Sequence, residues 1–438
     1  MANLIWRSAF LLSLAVSTAY AQDADIKCGP GNLCPEDKPC CSQYGSCGVG
    51  AYCLGGCDPV NSFSLDACVP MPICKDYSKN SFSNLDDFVK QDEYLGDPGD
   101  APWVYSGEPV TNNGELWLTM AEGTSGTLIK STTFMWYGRI KASIRASPGT
   151  GVVTAFIALG DSKDEIDYEW IGVQSSATQT NFYSQGVTNY NNGKNLTNQP
   201  DVTASFHDYE IDWTPDTITW TIDGKEVRVL EREETWNATA GRYSYPQTPC
   251  QIQLSLWPAG LSTNAEGTIE WAGGLVDWSS PDMVNGYYHA DFKNLETECY
   301  DPPKGANGTG KTSYVINDKA MTNLSIALTD KDTVLGSFQA TGLNMDFGKD
   351  DNKKNTTGSI PGQSGGGPSQ ANHGDEDGGS STNDDGSSGT SPSGSASTGF
   401  VQGNGGQDNG ATATGAPEKV MQGSLFAALV AIVGLCVL

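Results

Sequence analysis

The chain is 438 residues long and carries 52 acidic against 25 basic residues, a formal net charge of -27. A surface this negative repels phosphate backbones and leaves no basic stripe, which excludes nucleic-acid partners. The three histidines, His207, His289 and His373, are too scattered to form a metal site, and no metal or cofactor is expected.

In chain order, an apolar run from Ala9 to Val16 follows Arg7, and Ala19-Tyr20-Ala21 has the small-x-small form of a signal-peptidase site. Residues 1–21 are therefore predicted to be a leader, with the mature chain starting at Gln22. Nine of the 12 cysteines fall between Cys28 and Cys74, a density that small secreted modules use in place of a large core. That predicts a disulfide-rich module over residues 22–74. Residues 75–300 hold most of the tryptophan and show strand-like alternation. Trp136 to Ile144 alternates like a strand, while His207 to Trp213, the turn at 214–216 and Ile218 to Ile222 read as strand, turn, strand. Asp223-Gly224 supplies the next hairpin turn. No long 3.6-residue period competes, so an all-β, two-sheet sandwich is expected. Residues 301–348 retain some alternation, between Tyr314 and Phe338, without saying whether they pack on the sandwich. Residues 349–424 form a Gly/Ser/Asn/Asp-rich tract that cannot bury enough apolar surface to fold, and read as a stalk. Leu425 to Leu438 is apolar but short for a membrane span, so it reads as the removable tail of a glycolipid anchor attached at Asn409 or Gly410. Sequons at Asn195, Asn237, Asn307, Asn323 and Asn355 agree with a secretory route.

The most informative segment is Asp164-Glu165-Ile166-Asp167-Tyr168-Glu169-Trp170. In a strand, Glu165, Asp167 and Glu169 share one face and Ile166, Tyr168 and Trp170 the other. The outer Cα atoms stand roughly 13 Å apart, a gap that two inclined glutamates can narrow toward the roughly 5 to 5.5 Å of a retaining glycosidase. Crowded like charges cannot all ionise, so one carboxyl is kept protonated as an acid while another serves as nucleophile. A solvated acidic face or a calcium site uses the same residue type. A calcium loop, however, recruits Gly, Asn and backbone carbonyls in a turn, not interleaved Ile and Tyr. Further on, Gln251, Gln253, Ser255 and Trp257 alternate onto a single face, fit to line a sugar cleft.

Two resemblances extend this reading. Cys40-Cys41-Ser42-Gln43-Tyr44-Gly45-Ser46-Cys47-Gly48, with Tyr52-Cys53 and Cys57, resembles the hevein-like family 18 chitin-binding module. The resemblance implies an exposed serine, Ser42, and stacking aromatics, Tyr44 and Tyr52, with Ser46 standing where many such modules carry another aromatic. It also implies the pairs Cys28–Cys41, Cys34–Cys47 and Cys40–Cys53, leaving Cys57, Cys68, Cys74, Cys250 and Cys299 unassigned. Removal of Cys436 with the tail leaves an odd number of cysteines, so at least one is free or intermolecular.

The Asp-Glu-Ile-Asp-Tyr-Glu-Trp run, with Trp136 to Ser147, Phe206 to Arg228 and Cys250 to Trp271, resembles the fungal cell-wall Crh branch of glycoside hydrolase family 16, Utr2-like members in particular. The resemblance implies a jelly-roll sandwich with Glu165 as nucleophile, Glu169 as acid/base and substrate contact, and Asp167 as auxiliary. It implies substrate contacts from Gln253, Trp257 and Thr268, with Tyr183 and Trp271 as further candidates. The expected function is transglycosylation of chitin onto β-glucan at the cell wall, with membrane association only through the anchor. The alternatives are a chitinase or β-glucan hydrolase of the same fold, or a noncatalytic chitin-binding wall protein.

Overall fold

The computed structural model describes residues 26–349 and 360–361. The leader, Asn355, Asn409, Gly410, the tail and nearly all of the stalk lie outside the described residues.

Two antiparallel-dominated sheets of eight strands each make the body of the protein. One runs in the order Lys194–Thr197, Ala177–Tyr183, Glu165–Ile171, Val152–Gly160, Cys250–Pro258, Thr127–Ser131, Trp103–Ser106, Phe88–Lys90, and will be called the acid sheet. The other is built on Lys225–Glu231, Thr217–Ile222, His207–Trp213, Gly138–Arg145, Tyr287–Cys299, Glu115–Ala121 and Val110–Asn112, with Tyr77–Lys79 pairing alongside Tyr287–Cys299. Strand alternation explains why they stack. Ile166, Tyr168 and Trp170 from one sheet meet Tyr209, Ile211 and Trp220 from the other in a single buried cluster. Hydrogen bonds pin the layers together: Trp220 Nε1 donates to the Asp167 carbonyl at 3.0 Å and the Tyr168 hydroxyl to the Thr221 carbonyl at 3.0 Å.

His207–Trp213 and Thr217–Ile222 pair as a hairpin, and Asp223 and Gly224 both take positive φ, 50° and 74°, as a two-residue turn requires. The strand expected to start at Trp136 begins instead at Gly138, because Tyr137 adopts a φ of 70° that breaks the extended run. Among the described residues the one α-helix is Glu266–Trp271.

The N-terminal module and the segment after residue 300 are both fastened to this body. Disulfides join Cys28–Cys41, Cys34–Cys47, Cys40–Cys53, Cys57–Cys68 and Cys74–Cys299, and Cys250 is a buried free thiol. Ser313–Ile316 pairs with Ile326–Thr329 and with Met71–Pro72, while Tyr314 packs edge-on against Trp136 at 5.7 Å. The chain then returns to the module, where Gly50 N–H donates to the Ala340 carbonyl and Gly342 N–H to the Ala67 carbonyl, both at 2.9 Å.

Candidate active site

Strand register builds the site row by row on the outer face of the acid sheet. Glu165 stands between Tyr183 and Leu159, with Gln251 beyond. Asp167 stands between Asn181 and Ile157, followed by Gln253 and Lys130. Glu169 stands between Gln179 and Ala155, followed by Ser255 and Leu128. In the next row Val153 faces Trp257. One surface therefore gathers Glu165, Asp167, Glu169, Tyr183, Gln253 and Trp257. Thr268 is buried on the helix Glu266–Trp271, off the sheet. That helix carries Trp271 back over the site, where its Nε1 donates to Gln179 Oε1 at 3.1 Å and its ring lies 6.2 Å from that of Trp257 at an interplanar angle of 29°.

The acids are deeply enclosed: Glu165 is 3 %, Asp167 1 % and Glu169 6 % exposed. Burial, then the charges of Asp167 and Glu165, hold the Glu169 carboxyl well above the usual carboxylate range. Burial also raises Asp167, and the Arg228 guanidinium opposes that rise. The crowding therefore favours a proton on Glu169 over its ionised form beside the other carboxyls. Arg228 is itself 6 % exposed, held by bonds to the Thr180 carbonyl at 2.8 Å and the Asn192 carbonyl at 2.7 Å and lying 4.4 Å over the Trp220 ring.

Several polar atoms on this face are sealed from water without a hydrogen-bond partner: both Asp167 carboxylate oxygens, Asn181 Oδ1, Gln251 Oε1, Gln253 Oε1 and Ser255 Oγ. Each such atom costs about 1–3 kcal/mol when left unsatisfied. A row of acceptors and a hydroxyl, flanked by Trp257 and Trp271, is the chemistry that sugar hydroxyls and ring faces satisfy.

Asp164 has a task the sequence pattern did not indicate. Fully buried on the opposite face of the strand entry, its Oδ1 accepts from Gln185 N–H at 2.9 Å, and its Oδ2 from Gln247 N–H at 2.8 Å, Thr248 N–H at 3.0 Å and the Thr248 hydroxyl at 2.8 Å. It ties two loops to the residue preceding Glu165. Its place at the head of the acid run was the available signal. For Arg228 there was none, since a basic residue in an amphipathic strand reads as a solvated one.

The module's residues depart from the resemblance. Ser42, implied to be exposed, is 2 % exposed, and its hydroxyl accepts from Ser46 N–H at 3.3 Å within the tight turn 42–46, which its own carbonyl closes on Gly45 N–H at 2.9 Å. Tyr52 is half-buried against Cys40, Cys53, Leu335 and their neighbours. Tyr44 turns toward the catalytic body and packs against the cluster of Leu128, Val153, Trp257, Ala259 and Ala272.

A two-sheet sandwich with a crowded acid strand of this kind on its outer face defines a retaining glycosidase scaffold. Residues 98–273 match the profile of glycosyl hydrolases family 16. The chain is 51 % identical over 346 residues to Crh-like protein 2 of Aspergillus fumigatus, covering 78 % of each, and 44 % identical over 359 residues to Crh-like protein UTR2 of Candida albicans, covering 79 % of this chain and 76 % of the other. Among solved structures it is similar to the Crh5 transglycosylase in complex with NAG, with a TM-score of 0.50 and 28 % identity, over 62 % of this chain and 99 % of that one. The chain belongs to the Crh-like proteins of glycosyl hydrolase family 16.

Proposed function

We propose that this protein is a cell-wall transglycosylase that cuts chitin by a retaining mechanism and passes the fragment to β-glucan. The observation that carries the reading is the acid strand, with three carboxyls on one buried face, where burial raises the Glu169 carboxyl. Glu165 attacks the anomeric carbon as Glu169 gives its proton to the departing glycosidic oxygen, so the sugar is held as an ester on Glu165. Glu169, now ionised, takes the proton of an incoming sugar hydroxyl, whose oxygen displaces Glu165 and forms the new linkage. Asp167 is the auxiliary acid between the two glutamates, and its charge favours the protonated form of Glu169. Gln253 and Trp257 contact the sugar, with Thr268 beyond them. A neighbour solved with NAG supports an N-acetylglucosamine polymer as donor. Secretion past the leader and a glycolipid anchor near Asn409 or Gly410 would hold the enzyme at the outer membrane face and in the wall.

Incubating the purified protein with a chitin oligomer and a fluorescent glucan oligosaccharide tests the proposal. Labelled products longer than the acceptor are expected. Release of short reducing sugars with an unextended acceptor would identify a hydrolase instead.

A further inference from the structure

The module does not hang beside the cleft; it is seated in it. Its loop crosses the Gln251 end of the site: the Gly55 carbonyl accepts from Lys130 Nζ at 3.1 Å, Gly56 N–H donates to Asp161 Oδ1 at 2.8 Å, and Asp58 pairs with Lys163 at 2.7 Å. A Cβ added at Gly55 would collide with the Gln251 carboxamide, so backbone and cleft floor are in direct contact there. At the other end Tyr44 packs on the Trp257 cluster, against which Trp271 also packs. The module thus meets the catalytic face at both ends of the row that carries the three carboxyls.

We propose that the N-terminal module is an autoinhibitory lid, with Tyr44 occupying the aromatic platform of the cleft, and that an N-acetylglucosamine chain captured by the module draws Tyr44 away and opens the site. The identity of the sugar rests on the function proposed above. Tyr44 is the residue through which the two sites compete, since a ring cannot pack on the tryptophan cluster and stack on a captured sugar at once. The unpartnered polar atoms of the cleft floor favour exchange of the closed contact for sugar hydroxyls. The lid moves as a block, because three disulfides cross-link residues 28–53. It pivots where Gly50 and Ala67 bond residues 340 and 342, beside a cavity of about 310 Å³ lined by Pro59, Val69, Tyr314 and Met345 among others.

The test uses the full secreted chain and penta-N-acetylchitopentaose as soluble donor. Tyr44→Ala is expected to raise kcat/KM for transfer by about threefold or more, as the closed population falls, while retention on insoluble chitin weakens. An unchanged or lower kcat/KM overturns the lid and makes Tyr44 a bystander or an ordinary subsite residue. Amide hydrogen exchange on Glu165→Gln is the second measurement. Adding the pentamer is expected to speed exchange at Gly56, whose N–H is latched to Asp161, whereas unchanged or slower exchange overturns the proposal. If the wild type transfers nothing, the functional reading fails, and the exchange at Gly56 still decides the lid.

Discussion

Glu165 and Glu169 sit four residues apart on one strand, yet their substitution should produce different failures. Glu165→Gln keeps the shape but cannot form the glycosyl ester, so both hydrolysis and transfer should vanish; appreciable residual turnover would remove it from the nucleophile's place. Glu169→Gln should spare donors with good leaving groups, which need no protonation, and abolish turnover of natural oligomers. Because the Glu169 carboxyl is raised, chiefly by burial, the wild-type rate should fall on the alkaline side as that proton is lost, and a pH profile on natural donor checks it. Trp257→Ala should impair transfer far more than folding, since the ring belongs to the small cluster on the cleft face and not to the main core between the sheets. A collapse in melting temperature with normal specific activity in the folded fraction would return it to the core. Asp164→Asn should act oppositely. Its amide would turn a donor toward groups that already donate, costing about 3 kcal/mol in unsatisfied bonds, so the melting temperature should drop while the activity remaining keeps its leaving-group dependence.

Among the elements, the acid strand was the most legible in the sequence, because alternation of carboxylates with Ile166, Tyr168 and Trp170 leaves one register that buries the apolar set. The glutamine-bearing strand Cys250–Pro258 was readable for the same reason, as was the hairpin closed by Asp223-Gly224. What alternation could not reveal is what covers the outer face. Period two assigns residues to sides of a sheet, and a long-range neighbour such as Gly55 leaves no periodic trace. The same limit hid the pairing of Tyr77–Lys79 with Tyr287–Cys299, which the Cys74–Cys299 bond reinforces across 225 residues. Cross-linking so long a loop restricts the unfolded chain by about 5 kcal/mol in the chain-entropy account. Replacing both Cys74 and Cys299 by serine should therefore lower the melting temperature by several degrees, with the module's own disulfides intact by mass analysis.

At the scale of the whole molecule, the buried acids make stability depend on pH. Burial pushes Asp161 up to about 7 against the opposing Gly56 N–H and Lys130, and Asp164, Asp167 and Glu169 are raised as well, each chiefly by burial. The native state keeps protons that the unfolded chain gives up near pH 4, so stability is full below that point and declines as pH rises toward 7. Thermal unfolding should peak near about pH 4.5 and fall by several degrees by about pH 7.5; Asp161→Asn, neutral throughout, should flatten the slope. The cysteine-dense module and the all-β sandwich were visible in composition and alternation, but the seating of the module on the sandwich was not, because it depends on contacts such as Tyr44 with the Trp257 cluster. The free thiol of Cys250 bears on how the chain is made. Synthesised from the N-terminus, the module's cysteines emerge together and can pair among themselves, but Cys74 must wait for Cys299, and Cys250 appears first. At about 5–20 residues per second Cys74 spends seconds within reach of the wrong thiol. What removes the competitor is sheet formation: once Cys250 pairs with Gly160 and Met135 in the sandwich it is fully buried, with a thiol pushed well above its ordinary range and unable to attack. The yield of correctly paired protein should therefore respond to Cys250→Ser more in cells with a slowed oxidative machinery than in cells with a full one.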